Sequence, residues 1–346
     1  MDFAFSDEQE MLRAAARAYL ADRYTPERVI ELADSPDGWD PASWQALANL
    51  GWLEPDLGVL EHAVLFEETG AALYPGPFFS TIGLAGPALP EDLAAAVARG
   101  ERSATVAVAE PGGPASLADA DRVATTADAA GRLTGHKILV PDLTSVTDVL
   151  VVARGPQGVG LFHVEAPGAV TARETIDRTR RLGELVLDAT PARPLPEATS
   201  LPLLRLNALA ALACEAVGVG QRALDFATEH AKTREQFGRV IGTYQAVSHK
   251  IADMFVQVQL ARSLAYWAAW CVAEGDDQAP LAVAAAASDA AAAAVAACEN
   301  AIQVHGGVGF TWEHPLHRFY KRAQWIQAYE GPGQRHRAAI ATALLG

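Results

Sequence analysis

From residue 203 the chain reads as helix almost to its end, in three long stretches at about 203–232, 244–273 and 280–304 joined by short connectors. Helices of that length with loops that short bury their apolar faces side by side, so the C-terminal part is expected to be a helical bundle. The alanine content of the third stretch suits close packing. Asp276-Asp277 ahead of Pro280 suits a cap and first turn. Shorter helices are expected at about 314–325 and after Gly333.

The chain upstream has two different characters. Ser6, with acids in the turn after it, reads as a helix cap, and apolar residues at helical spacing continue from Met11 to Leu20. Further helical pieces begin at Pro26, around Trp44, at 61–72, at 82–89 and at 91–98. After Gly100 the period shortens. Short β-rich runs at 104–109, 122–126, 131–135, 136–140, 148–153, 159–164 and 182–187, with turn residues between them, predict a small antiparallel β domain. The proline-rich stretch 191–202 reads as a linker. The expected fold is therefore mainly α with a small β domain: an N-terminal helical domain (1–100), a middle β domain (101–200) and a C-terminal helical bundle (201–346).

Composition narrows the function. A net charge of −15 argues against a nucleic-acid partner, which needs a concentrated basic face. Cys214, Cys271 and Cys298 stand in apolar or alanine-rich surroundings without C-x-x-C spacing, as expected of reduced, buried thiols and not of a metal site. Residues 1–5 carry no signal-peptide pattern, and the apolar run 281–297 is interrupted by Ser288 and Asp289, so no membrane span is expected and the compartment is read as cytoplasmic.

Three motifs of the last third carry chemistry. Arg234-Glu235-Gln236-Phe237-Gly238-Arg239 lies between the first two long helices, followed by Gln245 and His249. It admits two readings: an exposed loop whose phenylalanine tucks into the core, or a forked donor for a pyrophosphate beside a flat face for a ring. Gln303-Val304-His305-Gly306-Gly307-Val308-Gly309-Phe310 ends the alanine-rich helix in glycines, which allow either a turn or a close approach of backbone to a ligand. Tyr329-Glu330-Gly331 sets a lone carboxylate between an aromatic and a glycine.

With R-x-Q-F-G, Q-x-x-G-G-x-G-F and Y-E-G in this order behind a helical region and a small β region, the sequence resembles the acyl-CoA dehydrogenase family over nearly its whole length. The resemblance implies a dimer of dimers with FAD between the β domain and the bundle. Arg234 and Phe237 would touch the FAD of the adjacent subunit, Gln245 would lie near its adenine end, and Gln303, Gly306 and Gly307 would line its ADP portion. Glu330 matches the family's general base, and a carboxylate suits that task when an apolar, water-poor setting raises its basicity. Tyr329, Trp325 and Phe310 are the aromatic residues expected to supply that setting. Where some relatives carry the base on the first long helix, this chain has Ala208. The implied reaction converts an acyl-CoA, or an acyl carrier protein thioester, to its trans-2-enoyl form and passes electrons to an acceptor such as an electron-transfer flavoprotein.

Two β-domain segments depart from the family pattern. Ala109-Glu110-Pro111-Gly112-Gly113-Pro114-Ala115 stands for T-E-P-G-x-G-S-D, and Leu139-Val140-Pro141-Asp142 for W-I-T-N. Pro141 offers no N–H, which leaves the backbones of Val108 and Ala109 as flavin contacts. Residues 52–58 replace a longer P-E-x-x-G-G loop. The segment 311–317 resembles actinobacterial-type members, including those forming mixed α2β2 complexes on bulky steroid side-chain thioesters. The resemblance thus implies either a homotetramer or an α2β2 heterotetramer with a related subunit. Two alternatives accompany the dehydrogenase reading: a partner subunit that completes another chain's FAD site without turnover, and a flavin oxidase or monooxygenase on the same fold.

Overall fold

The computed structural model describes residues 5–54, 57–165, 167–196, 200–331 and 333–346. Residues 1–4 of the N-terminal reading, Pro55 and Asp56 of the connector, and 197–199 of the linker lie outside the described residues.

The helices α1 (Asp7–Arg23), α2 (Pro26–Asp34), α3 (Ala42–Asn49), α4 (Val59–Ala71) and α5 (Glu91–Ala98) open the chain. Ser6 caps α1 as its sequence predicts: its hydroxyl accepts from the Gln9 N–H at 3.2 Å, and the Gln9 side chain accepts in return from the Ser6 N–H at 3.1 Å. The stretch before α5 differs from the expected α-helix. It forms a π-helical turn, Phe79–Ala85, and a 3-10 turn, Gly86–Ala88; Pro87 lacks the N–H that a continuing α-helix would need.

Strands follow: β1 (Ala104–Ala107), β2 (Thr126–Ala127), β3 (Arg132–Pro141), β4 (Asp148–Gly155), β5 (Gly158–Glu165), β6 (Ala169–Arg173), β7 (Leu182–Pro191) and β8 (Arg193–Pro194). Then come α6 (Leu201–Thr233), the strand pair β9 (Glu235–Gln236) and β10 (Arg239–Val240), and the helices α7 (Gln245–Glu274), α8 (Ala279–His305), α9 (Leu316–Ala328) and α10 (Gly333–Leu345). The residues divide into two compact units.

One unit holds Glu31–Gly58 and Pro75–Ala208. Its sheet runs β6-β7-β3-β2-β4-β5-β8, with β1 beside β4. The long ladders β3–β7, β4–β5 and β6–β7 are antiparallel, while β1 runs parallel to β4. Its buried face gathers Leu133, Val140, Val149, Val151, Phe162, Leu185 and Leu187. Residues 131–140, read as two short strands, are one strand, whereas 122–125 form none. There the N–H groups of Ala124 and Thr125 donate to the Glu110 carboxylate, at 2.6 and 2.9 Å, instead of entering a ladder.

The other unit holds Met1–Ile30, Val59–Tyr74 and Leu209–Gly346. In it α8 packs against α7, α9 and α10, burying Ala282, Ala286, Ala290, Ala294, Ala297 and Ala301. Gly70 on α4 and Gly218 on α6 let those helices touch backbone to backbone, since a Cβ on either would overlap a carbonyl of the other helix, at Glu215 and Glu67 respectively. The helical stretch Ala279–Phe310, whose core was read as too interrupted to span a membrane, is long and apolar enough to do so, as is Leu201–Thr233. In this fold their apolar windows are 61% and 78% buried inside the protein. The three cysteines are free and buried, and burial pushes the Cys214 and Cys298 thiols up.

Candidate active site

Glu330 lies just beyond α9, and the way that helix ends decides how the carboxylate is held. Leu316, Phe319, Ala323 and Ile326 form the buried face of α9. Arg322, on the same helix, is paired with Glu215 of α6, both almost fully buried. These contacts fix the helix axis. The Tyr329 N–H donates to the Trp325 carbonyl at 3.0 Å and the Gly331 N–H to that of Ala328 at 3.2 Å, closing the last turn. Between them Glu330 takes φ +61°, and Gly331 takes +100°. Left-handed conformations at helix ends belong chiefly to glycine, and a side chain there costs about 1 kcal/mol or more. Glu330 accepts that cost while only 4% exposed, the kind of local strain that collects at functional sites.

Of the aromatic residues expected around Glu330, Trp325 and Tyr329 lie tilted against each other, 5.3 Å between ring centroids. Phe310 instead projects outward, 80% exposed: the 3-10 turn Gly306–Phe310 carries it away from the buried side. Leu209, next to buried Ala208 on α6, shares with Tyr329 the lining of a cavity of about 40 Å³.

The arginine–phenylalanine motif forms a β-hairpin. β9 and β10 pair antiparallel, and the tip residues Phe237 and Gly238 take φ +54° and +76°, both positive as a two-residue hairpin turn requires. Phe237 is therefore 94% exposed at the tip, which removes the reading in which it enters the core. Arg234 is exposed at the base of the hairpin, and Gln245 is exposed at the start of α7.

At the other motif, Gly306 (φ +64°) caps α8 by donating to the carbonyls of Gln303 and Ile302. Gly309 is needed for packing, because a Cβ there would press on the Ile302 carbonyl at 2.9 Å. Gly307 has neither reason: its φ is not positive and a Cβ would meet nothing within 4 Å. Space is thus left open above Gly306 and Gly307, beside the exposed amide of Gln303. An exposed guanidinium, an exposed ring, a carboxamide and bare backbone suit a dinucleotide with its pyrophosphate and purine.

A feature the sequence reading missed links these two motifs. His230 near the end of α6 stacks on His305 at the end of α8, 4.3 Å between centroids, and His305 meets His314 at 4.5 Å. The end of α6, four residues before Arg234, is thereby held against the residue preceding Gly306. Burial lowers the pKa of all three rings, that of His314 to about 4 with help from its histidine neighbours. Neutral imidazoles stack without charge repulsion. No spacing in the sequence announces three histidines so far apart.

In the β unit, Val108 and Ala109 follow β1. The Val108 carbonyl accepts from the fully buried Lys137 ammonium at 3.2 Å, and that of Ala109 from the Ile138 N–H at 2.9 Å. Burial would raise the Glu110 carboxyl, but hydrogen bonds from Lys137, Thr125 and the Ala124 and Thr125 N–H groups outweigh it and bring the pKa down to about 2. The divergent β3 terminus is also built in: the Pro141 carbonyl accepts from the Thr105 hydroxyl at 2.8 Å, and buried Asp142 accepts from Ser80 at 2.6 Å. Leu139, at φ +54° in the bulge, is 52% exposed.

Comparison with known proteins gives consistent matches. The family model "Acyl-CoA dehydrogenase, C-terminal domain" matches residues 206–345. The acyl-CoA dehydrogenase IpdE2 of Mycobacterium tuberculosis is 31% identical over 341 residues, covering 94% of each chain. Among solved structures, a Tcur3481–Tcur3483 steroid ACAD variant is 33% identical with a TM-score of 0.87, over 98% of this chain and 99% of that one. The ChsE4–ChsE5 complex from Mycobacterium tuberculosis is 28% identical with a TM-score of 0.88, over 99% of both.

Proposed function

The chain is a member of the acyl-CoA dehydrogenase family, and on that premise we propose that it desaturates an acyl thioester between Cα and Cβ with Glu330 as the base. Glu330 takes the α proton onto a carboxylate oxygen, and a trans-2-enoyl thioester is left. The family is FAD-dependent, and the flavin supplies, when bound, the acceptor for the β hydrogen with its electron pair. Arg234, Phe237, Gln245, Gln303, Gly306 and Gly307 would hold the adenosine diphosphate end, and the backbones of Val108 and Ala109 the ring end. A base this deeply buried is kept from the bulk water that would otherwise hydrate the carboxylate. Its backbone N–H is the group to polarise the thioester oxygen, which acidifies the α carbon. Electrons would leave to an acceptor such as an electron-transfer flavoprotein.

The observation that carries this reading is the buried, left-handed Glu330 at the end of a helix locked by Arg322 and Glu215. We take the assembly to be a homotetramer or the base-bearing half of an α2β2 complex with bulky acyl groups as substrates. The names of the similar structures, a ChsE4–ChsE5 complex and a two-part steroid ACAD, support the mixed assembly. Pro141, with no N–H and its carbonyl already engaged, favours a second reading in which this chain completes another subunit's flavin site.

One experiment separates these. The chain is purified alone and with a co-expressed homologous subunit, and enoyl-thioester formation is followed for wild type and Glu330→Gln. Glu330→Gln is expected to retain flavin absorbance and lose roughly 10³-fold or more in turnover, the scale of a lost general base. Near-normal turnover in Glu330→Gln rejects the base. Activity seen only in the pair, and indifferent to Glu330, establishes the partner role.

A further inference from the structure

A second cavity opens in the same unit as Glu330, away from it. It measures about 240 Å³ and lies among α1, α2, the end of α4, α6 and the start of α9. α9 begins at this cavity and ends two residues before Glu330, so a helix about 20 Å long separates the two places. The volume falls just below the roughly 300–1,000 Å³ of drug-sized pockets, which suits a small metabolite.

The lining is apolar on its walls and basic on balance. Leu20, Val29, Leu73 and Phe319 supply buried apolar surface. Leu73 does so at φ +50°, in a helix-end conformation where glycine would be cheaper, so the chain accepts strain to keep that side chain in the wall. The charged lining residues are Arg17, Arg222 and Arg318 against Glu68 and Asp225. Glu68 is taken up by Arg17 through two hydrogen bonds of 3.0 and 2.7 Å. Asp225 accepts from Gln221 at 2.8 Å. Arg222 is the informative residue. Its guanidinium lies over the Phe226 ring, 4.3 Å from the centroid, and no carbonyl or carboxylate of the described residues accepts from it. Phe226 is itself fixed by edge contacts with His314 and Phe319 at 5.5 and 5.6 Å. A half-buried, oriented fork of donors without an acceptor, set in a net-positive pocket of a chain with a net charge of −15, is suited to a planar monoanion.

We infer that this cavity is a binding site for a small amphipathic carboxylate, its carboxyl group on Arg222 and its hydrocarbon body against Leu20, Val29, Leu73 and Phe319. The site is separate from the one at Glu330 and does not depend on the reaction proposed there.

The test is calorimetric titration of the flavin-loaded, assembled protein with octanoate, and in parallel with inorganic phosphate. One octanoate per chain is expected to bind. Arg222→Gln should weaken it at least tenfold, the loss of a charge-assisted pair, and Arg222→Lys less. Ala72→Leu, which fills the cavity from its wall, should weaken it without touching the charge, and thermal melting of each variant confirms the fold. Glu330→Gln should leave the affinity unchanged. Absence of octanoate binding overturns the inference, as do equal affinity in wild type, Arg222→Gln and Ala72→Leu, or a loss confined to Glu330→Gln. Phosphate binding as tightly as octanoate overturns the amphipathic assignment.

Discussion

Glu330 combines two costs that a surface glutamate would avoid, burial of a carboxylate and a left-handed backbone. Comparing glycine with alanine at this position isolates the second, because both remove the carboxylate and its contacts. Glu330→Gly is expected to be more stable than Glu330→Ala by about 1 kcal/mol, since only glycine takes φ near +60° without strain; chemical denaturation of the two inactive variants measures the difference. Equal stability would mean that the turn relaxes and that the strain is not held. Arg234 has the opposite character, exposed and available. Arg234→Ala should leave thermal stability within about 0.5 kcal/mol yet lower flavin occupancy after gel filtration, and unchanged occupancy would remove it from the cofactor site. Glu330 was visible in the sequence as a carboxylate in the right motif. Its φ was not, because nothing local distinguishes Tyr-Glu-Gly in a loop from Tyr-Glu-Gly closing a helix.

Among the elements, α6 organises the bundle unit through close contacts. Gly218 has no conformational reason to be glycine, yet a Cβ there would overlap the Glu67 carbonyl of α4, and backbone cannot yield as a side-chain tip can. Gly218→Ala is accordingly expected to destabilise by about 1–3 kcal/mol or more, read as a lowered unfolding midpoint. A neutral effect would mean that α4 is free to move. Glu67 also receives hydrogen bonds from Arg262 at 3.0 Å and Tyr266 at 2.7 Å, so displacing α4 would disturb a buried polar cluster as well. The long helices were legible because their period is local and repeated over many turns. Of the run 122–126 only Thr126 enters a strand, because Glu110, fourteen residues before Ala124, takes the N–H groups of Ala124 and Thr125. β6 was missed because its five residues are largely exposed and show no apolar alternation.

Across the whole molecule, acid should act in two steps. The histidine stack has lowered pKa values, so its stabilisation is full above the ordinary value of 6.5 and is lost as pH falls towards about 4. In the β unit Glu110 falls from 4.5 to about 2, and Asp148 from 3.8 to about 2. Burial opposes the Asp148 shift, and hydrogen bonds from His163, Arg102 and Thr147 exceed it. Their stabilisation is present above pH 4.5 and disappears towards pH 2, on the order of 3 kcal/mol for Glu110. Thermal melts across this range should show both losses. His314→Phe should reduce the first step and Glu110→Gln the second, and a single step unaffected by either would refute the assignment. The sequence by itself determined the order of helical, β and helical regions, the bundle, and the three motifs that announce the family, because periodicity and short motifs are local properties. Only the tertiary structure decided that Phe237 stands outside the core, that Phe310 lies exposed, and that three scattered histidines clamp α6 to α8. It alone decided, too, that Arg222 lines a cavity with its guanidinium over Phe226 and no acceptor among the described residues. Each of these depends on contacts between residues far apart in the chain, and no local pattern encodes them.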